Sequence, residues 1–182
     1  MEDAKMNNLL HALENETNSS IMRLTTSKIK EHKNNILQQL QLERNILKEF
    51  HKKLKFYRYC SDMADLQYGF YIRWIPLKNP DNIYLTNGGL LCDMKIINDQ
   101  IHIICKNNRN RIIQFKFDEA MIFQKISQQE HVILNVLDYL KLYDICLNKG
   151  PLFKIKWNLI PHLLVQEIII IVFFIALEEL PF

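Results

Sequence analysis

Glycine is scarce, at 4 residues, and neither glycine nor proline occurs between Ile21 and Tyr59. That absence removes the usual helix breakers from a long early stretch. The 4 cysteines, Cys60, Cys92, Cys105 and Cys146, include no CxxC pair, which argues against zinc-ribbon and thioredoxin-like chemistry. Met1–Ser20 is polar and acidic with no apolar core. No secretory signal is therefore expected, and reduced thiols in a cytoplasmic or nuclear compartment are.

Catalytic constellations are missing as well. None of the 6 histidines, His11, His32, His51, His102, His131 and His162, pairs with Cys, Asp or Glu at ligand spacing on one element. Asn87-Gly88-Gly89 lacks the helix start and the Lys-Ser/Thr that a phosphate loop needs. The one adjacent carboxylate pair in the middle of the chain, Asp118-Glu119, has no catalytic partner beside it. The expectation is a protein without enzyme activity, cofactor or metal.

What is present begins with a seven-residue repeat. Met22, Ile29, Ile36, Glu43, Phe50 and Tyr57 fall at position d, and Thr26, Lys33, Leu40, Leu47 and Leu54 at position a. Eight of these eleven positions are apolar, which predicts a long coiled-coil helix over Met22–Tyr57. The seam Met22, Ile29, Ile36, Leu40, Leu47, Phe50, Leu54 and Tyr57 would then hold a second copy or a helical hetero-partner. Leu37, Leu42 and Ile46 lie off the seam, which leaves room for a higher oligomer or for packing onto the chain's own domain.

Charge is uneven. Between Arg23 and Arg58 there are ten Lys/Arg and three Asp/Glu, against thirteen and seventeen elsewhere. The net +3 thus hides a basic helix in an otherwise acidic chain. Such a helix suits nucleic acid, phospholipid head groups or an acidic partner, and equally a solvated Lys-rich face. The cations look spread around a continuous helix rather than gathered in one stripe.

After Tyr59 the period changes to two. Tyr71–Pro76 alternates as a strand, and Ile83–Thr86 and Gly89–Ile97 flank Asn87-Gly88, a strong hairpin signal. A turn at Asn98-Asp99 sets Ile97 against Gln100, Ile96 against Ile101, Met94 against Ile103 and Cys92 against Cys105. The two thiols are expected to sit side by side in the core as small hydrophobes. Asn107–Arg111 turns again, with Lys106, Arg109 and Arg111 as a candidate anion contact or a plain polar loop. Ile112–Phe117 and Met121–Ile126 read as further short strands. Ser127 and Glu130 form a capping box ahead of a helix that buries Ile133, Val136, Leu137 and Leu140 and ends near Asn148-Lys149-Gly150-Pro151.

The expected fold class is α+β: a long N-terminal coiled-coil helix, a small antiparallel β-meander or SH3-like barrel, and C-terminal helices. The expected organisation is a flexible 1–20, a coiled coil over 21–59, a β-rich head over 69–150 and an apolar tail over 151–182. In the tail, Ile168–Leu177 is uninterruptedly apolar and bracketed by Gln166-Glu167 and Glu178-Glu179. A membrane anchor over 163–180, a buried assembly helix and a β-prone segment are the three readings of it.

The aromatics Phe56, Tyr57, Tyr59, Tyr68, Phe70, Tyr71 and Trp74 either pack the junction between helix and sheet or cage a methylated ammonium group. The block 69–126 is similar in strand number and length to SH3- and Tudor-like barrels. The run Gly69-Phe70-Tyr71-Ile72-Arg73-Trp74-Ile75 and the segment Leu85-Thr86-Asn87-Gly88-Gly89 resemble an uncharacterised protein of large DNA viruses, a resemblance that implies no functional residues. Three functions follow as expectations: a non-enzymatic oligomeric assembly protein, a nucleic-acid-associated module using the basic helix, and a membrane-anchored adaptor.

Overall fold

The computed structural model describes residues 2–148, in the order α1 (Glu2–Glu14), α2 (Thr26–Gln39), α3 (Arg44–Lys53), β1 (Tyr57–Cys60), β2 (Tyr71–Pro76), β3 (Gly89–Ile97), β4 (Gln100–Lys106), β5 (Ile112–Lys116), β6 (Ala120–Lys125) and α4 (Gln128–Asn148). Short 3-10 turns at Glu16–Ile21, Met63–Asp65 and Phe117–Glu119 join them. The chain divides into two compact units, Met1–Asn135 and Val136–Phe182, and the sheet belongs to the first.

The six strands form one antiparallel sheet in the order β1-β6-β2-β3-β4-β5. Strand β6 returns to lie between β1 and β2, so the sheet is not a simple meander. Strands β2 and β6 are buried on both faces, and their sequences show it. In β2, Ile72 and Trp74 point one way and Ile75 the other; in β6, Ile122 and Phe123 separate likewise. One core gathers Cys60, Leu66, Ile72, Trp74, Leu91, Ile103, Cys105 and Ile122. The sheet curls over it far enough to stack Trp74 of β2 on Phe115 of β5, with ring centroids 4.5 Å apart. The second core sets Leu37, Phe50 and Leu54 from the helical layer against Tyr57, Ile75 and Phe123.

The long coiled-coil helix expected over Met22–Tyr57 does not form. It is replaced by two short helices, a turn and the first strand. The break lies at Leu40–Glu43, where Gln41 takes a positive φ of 48°. The physical reason is the distribution of apolar residues. A continuous helix would run about 54 Å, whereas a six-residue strand spans roughly 20 Å. Folding back lets Leu37 on α2 and Phe50 and Leu54 at α3 reach the same patch of sheet. Leu40 and Leu42 then fill the corner. The packing of off-seam leucines onto the chain's own domain thus prevails over an intermolecular seam.

Lys33, a polar exception in the repeat, is buried and donates from Nζ to Leu54 O at 2.7 Å and Tyr57 O at 3.1 Å. It ties together the cap of α3 and the start of β1, where Leu54 O also accepts from Tyr57 N at 3.1 Å. Arg73 reaches the same helix end, with Nη1 3.4 Å from Lys53 O.

The remaining corrections are local. Asn98 and Asp99 both have positive φ, and the registers Ile97 to Gln100, Ile96 to Ile101 and Met94 to Ile103 form as expected. A bulge between Leu91 and Asp93 then shifts the pairing, so Leu91 and not Cys92 faces Cys105. Asn87-Gly88 does not join two paired strands. Ile83–Thr86 lies outside the strands, and Thr86 bonds Trp74 partly through its hydroxyl. Gly88 is needed for close approach: at φ +90° a Cβ there would meet Ile72 O at 2.3 Å. Only one C-terminal helix, α4, lies among the described residues. Its capping box is formed, with Ser127 N donating to Glu130 Oε2 at 2.8 Å and Glu130 N to Ser127 Oγ at 3.0 Å. The apolar tail expected over 151–182, and the membrane anchor considered over 163–180, lie outside the described residues.

Candidate functional site

The residues of the expected seam are turned inward. Ile29, Phe50, Leu54 and Tyr57 are buried. Met22, Ile36, Leu40 and Leu47 are half-buried, the last three against the helix–sheet core. They hold the helical layer to the sheet. What the layer shows to solvent is its charge.

Of the ten cations between Arg23 and Arg58, Lys33 and Arg58 are buried and the other eight are exposed. On α3 the exposed cations fall into a stripe. Arg44, Lys48 and Lys52 are spaced i, i+4, i+8, which places them on one face. Phe50 and Leu54 anchor the helix to the sheet, with Leu47 packed beside them. The stripe is about 12 Å long at 1.5 Å per residue. Its nearest carboxylate on the helix, Glu49, is already taken by Lys53 at 2.6 Å, whose hydrogen bond and charge hold the Glu49 carboxyl below its ordinary range.

The end of α3 is crowded with positive groups. Burial pushes the Lys33 ammonium down, and the charge of Lys30 adds to the effect. Burial also lowers His51, with Lys33 as the second cause.

Lys106, Arg109 and Arg111 sit together at the β4–β5 hairpin tip, all exposed. Asn107 Oδ1 accepts from the N–H groups of Arg109 and Arg111, each at 2.9 Å, and Asn110 takes a φ of 58°. This is a three-residue hairpin loop with a left-handed last residue. The Tyr71 hydroxyl lies 3.1 Å from Asn87 O and 3.3 Å from Asn108 Oδ1. The tip is shaped by its own bonds and carries charge on its rim.

The aromatics do not gather into a cage. Trp74 is buried against Phe115, Tyr59 packs on Phe123 with centroids 5.7 Å apart, and Arg73 lies 5.4 Å from the Tyr57 ring centre. Phe56 and Tyr68 are exposed. Among the described residues no group of three His, Cys, Asp or Glu side chains could hold a metal ion, and no helix is long and apolar enough to cross a membrane.

The bulge in β3 separates the thiols. Cys92 is exposed while Cys60 and Cys105 are buried. Burial pushes both buried thiols up to about 12, with Arg58 and Cys92 respectively the next influences. The thiolate is the reactive form. A brief pulse of maleimide at neutral pH, read by peptide mass, should therefore label Cys92 at least tenfold faster than Cys60 or Cys105. Equal labelling of Cys92 and Cys105 in the folded protein would contradict the bulged register.

Two features of the fold escape a reading of the sequence as one helix. The stripe Arg44, Lys48, Lys52 emerges once the helix is divided at Leu40–Glu43. The buried ion pair between Arg58 and Glu130 joins residues far apart in the chain and leaves no local pattern. In comparisons with known proteins, no family model, curated protein or solved structure matches this chain.

Proposed function

We propose that this chain is a non-enzymatic binding module that holds nucleic acid by its phosphates against the exposed face of α2 and α3. The observation that carries the reading is the α3 stripe: three cations on one face, with the adjacent Glu49 already neutralised by Lys53. Phosphate contact needs positive charge at a fixed spacing and little else. A helix anchored by Leu47, Phe50 and Leu54 supplies the fixed spacing. Lys28 and Lys30, exposed on α2, widen the field around it. Affinity from such a surface comes from counterion release, so it is independent of base sequence and steeply dependent on salt.

Anisotropy of a labelled duplex oligonucleotide, titrated between roughly 50 and 200 mM NaCl, tests this. The expected result is binding at the low end whose log K falls linearly with log[salt], with a slope of about −3 to −5. Absence of binding at low salt, or binding indifferent to salt, would sink the reading.

The inward-facing seam removes the coiled-coil route to assembly. An assembly role would have to use another surface, and the far edge of the sheet offers one.

A further inference from the structure

Strand β5 is the last in the sheet and pairs only with β4. The phase of that pairing is set at the hairpin, where Asn107 N donates to Arg111 O at 3.0 Å. Two residues on, Cys105 and Ile113 are opposite each other, then Ile103 and Phe115. In an antiparallel ladder these are the pairs that exchange backbone bonds, and the residues between them turn their N–H and C=O groups outward. The backbone groups of Ile112 and Gln114 therefore point to the open edge. No other backbone segment among the described residues bonds to either of them.

Open edges are usually blunted by a proline, a bulge or an inward charge. Strand β5 has no proline and no bulge. Its outward position Ile112 is instead apolar and 75% exposed. The register continues this row across the sheet, from Ile112 to Lys106 to Leu90, and Leu90 is exposed as well.

The charge at the start of the edge has one sign. Lys106, Arg109 and Arg111 are exposed at its start, and no ion pair engages them among the described residues. At the other end, Lys116 already shares Glu119 with Lys78, at 3.6 and 2.9 Å. A second copy paired in parallel would bring the same cations against one another, and one paired antiparallel would set them against its Lys116–Glu119 end. An acidic strand would meet complementary charge.

We propose that the β5 edge receives an extended acidic segment of a partner protein as a seventh strand. The added strand bonds to the backbone of Ile112 and Gln114. It sets an apolar side chain against Ile112 and, on the other face, carboxylates toward Arg111. Main-chain bonds supply affinity and the alternating side chains supply selectivity, as in strand addition generally. The surface is separate from the α3 stripe and does not depend on nucleic-acid binding.

The probe is a synthetic peptide of sequence Asp-Val-Glu-Ile-Glu-Val-Asp, with a Lys-for-acid version as its control. Amide hydrogen exchange at Ile112 and Gln114 should slow at least tenfold at saturation, and the Lys version should bind at least tenfold more weakly. Ile112→Pro removes one outward N–H without touching the β4 ladder and should abolish binding. Should that variant fail to fold, a peptide N-methylated at the residues that face β5 makes the same test on the unaltered protein and should not bind. The variant Arg44→Ala/Lys48→Ala/Lys52→Ala should bind the acidic peptide as tightly as the wild type. Absence of binding, equal binding of the Lys peptide, undiminished binding of the N-methylated peptide, or binding without protection at Ile112 and Gln114 would overturn the proposal. So would loss of peptide binding in the α3 variant, which would assign the peptide to the phosphate surface.

Discussion

Arg58→Met should lower the unfolding free energy by about 3–5 kcal/mol, the largest effect expected of any single substitution here. Arg58 and Glu130 are 1% and 0% exposed, and Arg58 Nε donates to Glu130 Oε1 at 3.1 Å. The guanidinium also donates from Nη2 to Asp65 O at 2.7 Å and Ser20 Oγ at 3.3 Å. One side chain on β1 thereby ties together the segment before α2, the 3-10 turn after β1 and the start of α4. Its planar fork suits this in a way that an ammonium would not.

Removing Arg58 leaves the Glu130 carboxylate buried with the Ser127 N–H as its remaining charge-stabilising donor. The cost lies in that uncompensated charge more than in the lost attraction. Arg58→Met combined with Glu130→Gln removes both charges and should recover about 1–3 kcal/mol of the loss. Urea unfolding of the two single variants and the double variant makes the comparison. The assignment fails if Arg58→Met costs less than about 1 kcal/mol, or if the double variant is no better than the single.

Leu54→Ala should cost about 2–5 kcal/mol. Leu54 is fully buried where α3 ends, among Leu37, Phe50, Tyr57, Ile75 and Phe123. Truncation leaves a cavity between the helical layer and the sheet, with little freedom for either to collapse. Ile46→Ala, on the exposed side of α3, should change stability by less than about 1 kcal/mol. The contrast separates a core residue from a surface one. If Leu54 held two chains together, its urea midpoint would move with protein concentration. A midpoint constant over a hundredfold dilution is expected, and a concentration-dependent one would restore an intermolecular role.

The two halves of the structure differ in how far they can be read from residues alone. The hairpin at Asn98-Asp99 and the capping box at Ser127 and Glu130 rest on neighbours a few positions apart, and local chemistry determines them. The heptad over Met22–Tyr57 failed because a seven-residue repeat reports an apolar face and not its partner. Leu37 and Leu42, off the seam, widen that face enough to suit a sheet. What tips the balance is Phe123 and Ile75, which arrive much later in the chain. Nothing in the residues 22–57 announces them. The bulge at Leu91/Asp93 is of the same kind. The expected alternation continued smoothly, yet Gly89 packs close under Lys106, where a Cβ would lie 2.8 Å from its carbonyl oxygen. That contact places Leu90 opposite Lys106 and Leu91 opposite Cys105, and one extra residue absorbs the difference.

The candidate site was legible in composition and illegible in arrangement. The excess of cations between Arg23 and Arg58 is plain in the sequence. Which of them are structural is not. Lys33 and Arg58 look like their neighbours until the fold buries them, and the stripe of Arg44, Lys48 and Lys52 depends on where α3 starts.

The salt slope of nucleic-acid binding measures directly where phosphates bind. Three proteins are compared on one labelled duplex: the wild type, Arg44→Ala/Lys48→Ala/Lys52→Ala, and Lys106→Ala/Arg109→Ala/Arg111→Ala. The α3 variant should lose about 3 from the magnitude of the slope of log K against log[salt]. The hairpin-tip variant should stay within about 1 of the wild type. A full slope retained in the α3 variant would contradict the account.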